Sequence, residues 1–191
     1  MRVMIDVDGV LADLVKGFYD EARKYIPDLP HITTYEQKSW HVWEGIDNKL
    51  VSKIWRDIYE STTWWYELEP LPSISERGSL RDLSEKWVDL YFCTSRPGKG
   101  AKFCTERWLR SFFWLESPTV LLVKNKGMAA KVLDIDMSIE DNGPNAESIG
   151  EAILTPTDSF LIDRLYNNEL PYNATRVNTL GEFLERVHAR V

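Results

Sequence analysis

The sequence contains few of the residues that mark disulfide-bonded, zinc-binding or membrane-spanning proteins. Its 2 cysteines, Cys93 and Cys104, belong to no CxxC pair or Cys/His cluster, so we expect free thiols and no zinc site. No uncharged apolar run reaches the roughly 18 residues that a transmembrane helix requires. Asp6 interrupts the N-terminus before a signal peptide could form. These absences predict a soluble, cytoplasmic protein with no membrane partner.

Positive charge is also scarce, and it is not clustered. The chain has 23 Lys and Arg residues against 30 Asp and Glu residues, which gives a formal net charge of -7. Binding to a nucleic-acid backbone depends on clustered cations that displace counterions. We therefore exclude a nucleic-acid polymer as the partner, whereas a small-molecule ligand remains open.

Short apolar runs alternate with segments of helical periodicity through most of the chain. The runs predict strands at residues 2–7, 88–93, 119–123 and 137–139, with residues 153–155 as a candidate fifth. The periodic segments predict helices at residues 74–86, 99–114, 127–133 and 180–191. Strands that alternate with helices are typical of an α/β fold with a mostly parallel sheet.

Residues 14–72 have a different composition, which is rich in aromatic and helix-forming residues and contains no convincing strand. Ligands of parallel α/β sheets bind beyond the carboxyl ends of the strands, and an insertion that leaves the first strand there would cover the site. We therefore predict a core of residues 1–13 and 73–191 with a small helical cap at residues 14–72.

Polar side chains stand where four of the predicted strands end. They are Asp6, Asp8, Thr94, Ser95, one of Lys124, Lys126 and Lys131, and the pair Glu140 and Asp141. Each has an ordinary interpretation by itself, as a hairpin turn, a helix cap or a surface lysine. The carboxyl ends of parallel strands share one edge of the sheet, however, so these side chains should converge.

Convergence of Asp6, Asp8 and Asp141 has an electrostatic consequence. Close carboxylates repel by roughly 4 kcal/mol per pair at an effective dielectric constant near 20. A divalent cation would offset this repulsion, and Mg²⁺ prefers hard oxygen ligands that it often shares with a substrate phosphate. The pattern therefore predicts a Mg²⁺ site.

The motifs DVDGVLAD, FCTSRPG, KGMAAKVLDID and IEDN, in this order, resemble those of haloacid dehalogenase superfamily phosphatases. Together with LIDRLYNN they are similar to the 5'(3')-deoxyribonucleotidase branch. The resemblance implies a three-layer Rossmann-like core, with Asp6 as the nucleophile that forms an aspartyl phosphate and Asp8 as the general acid and base. It also implies that Thr94 and Lys126 bind the phosphoryl group, and that Mg²⁺ is held by Asp6, the backbone carbonyl of Asp8, and Asp141 with Glu140.

Two positions depart from the nucleotidase pattern. The pair Glu140-Asp141 stands where these nucleotidases usually have two aspartates, so either carboxylate could contact the metal. The catalytic lysine is Lys126 or Lys131, and we favour Lys126 because it opens a helix at the usual spacing.

Five of the eight tryptophans lie in the predicted cap: Trp40, Trp43, Trp55, Trp64 and Trp65. Most should pack its small core, but one or two facing the cleft would stack on a nucleobase. Trp43, Trp64 and Trp65 are the candidates. Arg96 would either bind a second anionic group of the substrate or pair with a surface carboxylate.

The leading hypothesis is hydrolysis of a nucleoside 5'-monophosphate, with a deoxyribonucleotide preferred. The alternatives are a phosphatase for sugar phosphates or other small phosphorylated metabolites, and a binding module that keeps the fold without turnover. The intact pair Asp6 and Asp8 argues against the binding module. A dehalogenase is disfavoured because its substrate would offer Asp8 no phosphoryl leaving group to protonate.

Overall fold

The computed structural model describes residues 1–41, 43–168 and 172–191. Its strands are β1 (Arg2–Asp6), β2 (Asp89–Thr94), β3 (Thr119–Leu122), β4 (Met137–Glu140), β5 (Ser159–Ile162) and β6 (Thr175–Val177). They form one sheet in the order β3-β2-β1-β4-β5-β6, and every strand pairing in it is parallel. The predicted α/β fold with a parallel sheet is confirmed.

The helices of the described chain are α1 (Leu14–Ala22), α2 (Asn48–Glu60), α3 (Ile74–Ser84), α4 (Ala101–Phe113), α5 (Lys126–Leu133), α6 (Gly143–Gly150) and α7 (Leu180–His188). Successive side chains of a strand point to opposite faces of the sheet. In β1, Val3 and Ile5 pack with α3, α4 and α7, whereas Met4 packs with α5 and α6. The result is the predicted three-layer core.

No helix among these is both long and apolar enough to span a bilayer.

Residues 14–72, called the insertion segment below, carry α1, α2 and a short 3-10 helix at Trp64–Tyr66. Its two ends lie side by side: the Leu71 N–H donates to the Leu11 carbonyl at 2.8 Å, and the Asp13 N–H to the Glu69 carbonyl at 2.9 Å. Asp13 also caps α1, because its carboxylate accepts from the Lys16 N–H. The insertion segment therefore leaves and rejoins the core at the carboxyl end of β1.

The strand expected at residues 153–155 is wrong. Ile153 instead closes the turn after α6, where its N–H bonds to the Ile149 carbonyl at 3.0 Å, and its side chain is buried beside that helix. The fifth strand is β5, which begins at Ser159, four residues after the end of the expected strand, and its four side chains are all buried. Burial of Ile153 on the helix face explains why its local pattern resembled a strand.

Candidate active site

The carboxyl ends of β1, β2 and β4 meet around Asp6. The pairing of β1 with β2 and β4 places the ends of those strands, Thr94 and Glu140, on either side of the Asp6 backbone. Lys126 reaches the same point as the first residue of α5, a helix capped by the Asn125 side chain. The convergence of these strand ends is a property of the parallel register.

A buried cluster of carboxylates lies at this edge. Asp6, Glu140 and Asp141 each offer an oxygen within 4.8 Å of the others, and all three are buried. The Lys126 ammonium lies among them, donating to Asp6 Oδ1 at 2.6 Å and to Glu140 Oε1. The second oxygen of Glu140, Oε2, is buried without a hydrogen-bond partner.

Burial dominates the electrostatics of this cluster. It raises the pKa of Asp6, although the charge of Lys126 opposes the shift. Burial and then the charge of Asp6 raise the pKa of Glu140 to about 8. The pKa of Asp141 is likewise raised well above its usual range by burial and by Asp6 and Glu140. For Lys126, the charges of Asp6 and Glu140 outweigh burial and hold the pKa above its usual value.

These properties fit a hard divalent cation. Three buried carboxylates face one ammonium group, so the negative charge of the cluster is only partly balanced. The buried Oε2 of Glu140, which accepts no hydrogen bond of normal geometry, is a further oxygen ligand for such an ion. Carboxylate oxygens of this kind are the usual protein ligands of Mg²⁺.

The three candidate lysines have different surroundings. Lys126 is buried in the carboxylate cluster, whereas Lys124 and Lys131 are exposed on the surface. Lys126 is therefore the lysine that the fold brings to Asp6, as the sequence analysis favoured.

Asp8 lies beside this cluster and is held by donors from the end of β2 and from the loop that follows it. Arg96 donates from Nη2 to Asp8 Oδ1 at 2.7 Å and from Nε at 3.0 Å, and the Thr94 hydroxyl donates to Oδ2 at 2.8 Å. The third nitrogen of Arg96, Nη1, donates to Thr105 Oγ1 at 2.8 Å. The Arg96 side chain is fully buried, and it lines the cavity beside Asp6 and Asp8. Its carboxylate partner is Asp8 of the site itself, and a contact of Arg96 with substrate stays a prediction.

A cavity of about 250 Å³ opens beside Asp6 and Asp8, between the core and the insertion segment. Its aromatic lining comes from Trp40, Trp43, Trp55, Trp65 and Tyr166. Ser95 also lines it, with its hydroxyl hydrogen donated to the Val123 carbonyl. A larger cavity of about 580 Å³ lies at the amino end of β2, away from the carboxylates, and is remote from this chemistry.

The structure separates the three tryptophans proposed for base stacking. Trp43 and Trp65 line the cavity, but Trp64 does not. Trp64 is buried behind the cavity, next to Gly17, where an added Cβ would lie 3.2 Å from its ring. Adjacent residues in the 3-10 helix point in different directions, and this assigns Trp64 to the core. Trp40 and Trp55, for which only packing was expected, reach the cavity.

The segment after β5 contributes residues that had no assigned role. The Tyr166 hydroxyl donates to Asp141 Oδ2 at 2.5 Å, and Arg164 donates from Nη2 to the Gly9 carbonyl at 2.7 Å. Both residues belong to the motif LIDRLYNN, which the sequence analysis noted only for its family resemblance. Because the fifth strand was misplaced, its position at the same edge of the sheet was not recognised.

Comparisons with known proteins relate the chain to named nucleotidases. The chain is 33% identical over 153 residues to the human mitochondrial 5'(3')-deoxyribonucleotidase, covering 71% of this chain and 61% of that protein. It is 28% identical over 99 residues to the human cytosolic type, covering 50% and 48%. The chain thus spans less than two thirds of the length of these relatives.

A solved structure of a haloacid dehalogenase superfamily hydrolase, subfamily IA, from Geobacter sulfurreducens has the same fold, with a TM-score of 0.55 and 14% identity. The match covers 97% of this chain and 95% of that one. The model of one family, described as "5' nucleotidase, deoxy (Pyrimidine), cytosolic type C protein", matches residues 1–175. The resemblance found in the sequence motifs is confirmed, and the chain belongs to this 5' nucleotidase family.

Proposed function

We propose that this protein is a Mg²⁺-dependent phosphomonoester hydrolase that releases phosphate from nucleoside 5'-monophosphates, with deoxyribonucleotides preferred. The observation that carries the proposal is the position of Asp6, which lies both in the carboxylate cluster and at the floor of the tryptophan-lined cavity. A reactive carboxylate, a cation site and an aromatic surface are thus adjacent. Family membership and the names of the relatives support the same substrate class.

The first step is attack by Asp6. One carboxylate oxygen forms a bond to phosphorus while the phosphorus–oxygen bond to the nucleoside breaks, which gives an aspartyl phosphate. Lys126, 2.6 Å from Asp6 Oδ1, offsets the negative charge that gathers on Asp6 and on the phosphoryl oxygens. Asp6, Asp141 and Glu140, with the Asp8 carbonyl, would hold Mg²⁺, which would supply further positive charge to offset the negative charge of the phosphoryl group.

Asp8 acts as the general acid in the first step and as the general base in the second. In the first it gives a proton to the leaving alkoxide oxygen of the nucleoside. In the second it accepts a proton from a water whose oxygen attacks phosphorus, which frees Asp6 and inorganic phosphate. Arg96 alone holds both oxygens of the Asp8 carboxylate, with Nη2 2.7 Å from Oδ1 and Nε 3.1 Å from Oδ2, and so fixes its direction. Thr94 turns its hydroxyl to a phosphoryl oxygen when substrate is bound.

The insertion segment is proposed as the cap that recognises the nucleoside. Trp43 and Trp65 present aromatic surface to the cavity, and stacking on a base is worth about 1 to 3 kcal/mol whatever the base. Ser95 lines the same cavity, and we propose that it contacts the phosphate or sugar. A cytoplasmic location is also proposed, supported by the relative named as cytosolic, and cell fractionation would test it.

The test is phosphate release from a panel of ribonucleoside and deoxyribonucleoside monophosphates, with and without Mg²⁺, using Asp6→Asn as the inactive control. We expect release that requires Mg²⁺, is lost in Asp6→Asn and is faster with nucleotides than with sugar phosphates. Equal rates on sugar phosphates would favour a general phosphatase. Ligand binding without release in the wild-type protein would favour a binding module instead.

A further inference from the structure

Residues 163–168, which follow β5, touch both loops of the site. Arg164 donates from Nε and Nη2 to the Gly9 carbonyl, at 3.0 and 2.7 Å, and so holds the loop after β1. Asn167 Nδ2 donates to the Asp141 carbonyl at 2.7 Å and holds the loop after β4. Tyr166, between them in sequence, donates its hydroxyl to Asp141 Oδ2 at 2.5 Å. One short segment therefore joins the backbone beside the nucleophile to a carboxylate of the cluster.

The Tyr166 hydroxyl occupies a confined place. Gly9, with φ of +81°, has no room for a side chain: an added Cβ would lie 1.9 Å from Asp141 Oδ2 and 2.9 Å from the Tyr166 hydroxyl. On its other side the Tyr166 ring meets the edge of Trp40, with ring centroids 5.5 Å apart. The Asp141 carboxylate is thus enclosed by Gly9 and Tyr166 and has little freedom to rotate.

We propose that Tyr166 is a positioning residue for the divalent cation: it holds Oδ2 of Asp141 so that the other oxygen faces the ion beside Asp6. The inference rests on the Mg²⁺ site of the proposed function. A hydrogen bond from a phenol leaves the charge of the carboxylate in place while fixing its orientation. Loss of such an outer partner typically weakens metal binding by about 10- to 100-fold.

A purely structural Tyr166 would behave differently. It would change the stability of the metal-free protein but leave the affinity for Mg²⁺ unaltered. A positioning role instead changes the affinity itself, and the Mg²⁺ concentration that gives half-maximal phosphate release rises by the same factor.

The experiment is calorimetric titration of Mg²⁺ into the full chain without substrate, comparing wild type, Tyr166→Phe and Tyr35→Phe. Tyr35 is a matched control because its ring lies on Arg164, 5.1 Å from the guanidinium carbon, while its exposed hydroxyl bonds only weakly to the Leu71 carbonyl at 3.4 Å. We expect the Kd for Mg²⁺ to rise roughly 10- to 100-fold in Tyr166→Phe and to stay at the wild-type value in Tyr35→Phe.

Circular dichroism and the thermal midpoint in EDTA verify that both variants are folded. If wild type binds Mg²⁺ and Tyr166→Phe binds it equally well, the role of Tyr166 is refuted while the proposed function stands. If wild type binds no Mg²⁺, the proposed function itself is refuted, and the role of Tyr166 with it.

Discussion

The guanidinium of Arg96 lies against the rings of two tryptophans while it holds Asp8. Its central carbon lies 4.8 Å from the ring of Trp65, in the insertion segment, and 5.9 Å from the ring of Trp108, in α4. Trp65 is itself fixed, because its indole N–H donates to the Pro97 carbonyl at 3.2 Å. The orientation of Asp8 thus depends on packing between the core and the insertion segment.

Substitution of Arg96 by Met should therefore release Asp8 from its fixed direction. Because a well-placed acid and base contributes about 10²- to 10⁴-fold to such reactions, we expect phosphate release from a nucleoside monophosphate to fall by roughly 10- to 100-fold. Release from p-nitrophenyl phosphate should fall less, since its leaving group needs little protonation. Steady-state kinetics on both substrates measures the difference.

Two further variants complete this test. Arg96→Lys keeps a charge near Asp8 and should recover part of the lost rate, whereas Arg107→Met removes an exposed arginine that lies over Tyr66 and should have no effect. An equal loss on the two substrates would argue that Arg96 only supports the fold.

Replacement of Lys126 by Met should strongly destabilise the protein. It leaves Asp6 and Glu140 buried without their shared cation, and breaking such a buried pair costs about 3 to 5 kcal/mol. Urea unfolding in EDTA measures the change in the free energy of unfolding. Lys131→Met, on the surface of the same helix, is the matched control and should remain within about 0.5 kcal/mol of wild type. A stability of Lys126→Met close to wild type would contradict the proposed charge balance.

The thiol of Cys93 should be inert in the folded protein. Burial raises its pKa to about 12, so at pH 8 only about one thiol in 10⁴ is ionised and open to attack by iodoacetamide. Mass spectrometry should find Cys93 unmodified in buffer and fully alkylated in urea. Rapid alkylation of Cys93 in the folded chain would contradict its burial.

The same shift predicts a pH dependence of stability. Because the folded-state pKa lies above the reference value of 9, the contribution of Cys93 is intact below pH 9 and is lost as the pH rises toward 12. The free energy of unfolding should fall more steeply above pH 9 in wild type than in Cys93→Ala, and parallel curves would contradict the shift.

The tryptophans of the insertion segment should divide into two classes. Trp43→Ala removes aromatic surface from the cavity, so KM for nucleotides should rise by roughly 5- to 100-fold, while KM for a sugar phosphate without a base should stay close to wild type. Trp64→Ala should instead lower the free energy of unfolding by about 3 to 5 kcal/mol. Trp87→Ala is the control, since Trp87 is 96% exposed and outside the cavity. Equal effects of Trp43→Ala on both substrates would argue against base stacking.

The parts of the site that lie at strand ends could be predicted from sequence, because the parallel register alone brings Asp6, Thr94 and Glu140 together. The ends of β1, β2 and β4 were recognisable since buried parallel strands are nearly continuous apolar runs. β6 was not, because only one of its three residues is buried. Residues 153–155 were misassigned because a short apolar run fits a helix end as well as a strand.

Contacts between distant side chains were beyond sequence reasoning. Arg96 and Asp8 are 88 positions apart, and their pairing depends on where two loops bring them. Trp64 and Trp65 are neighbours with identical side chains, and only the turn of the 3-10 helix sends one to the core and the other to the cavity. Tertiary packing determines which side chain is buried in the core and which one lines the cavity.

The adjacent ends of the insertion segment allow its length to change without moving the strands of the sheet. The chain leaves the core after Asp13 and is hydrogen-bonded to the core again at Leu71. The insertion segment is therefore a closed loop with adjacent ends. Loop closure costs only about 0.6 kcal/mol for each doubling of length. A longer or shorter segment grafted at these two points would change which molecules reach Asp6, as long as it keeps Trp40 and Trp65, which contact Tyr166 and Arg96.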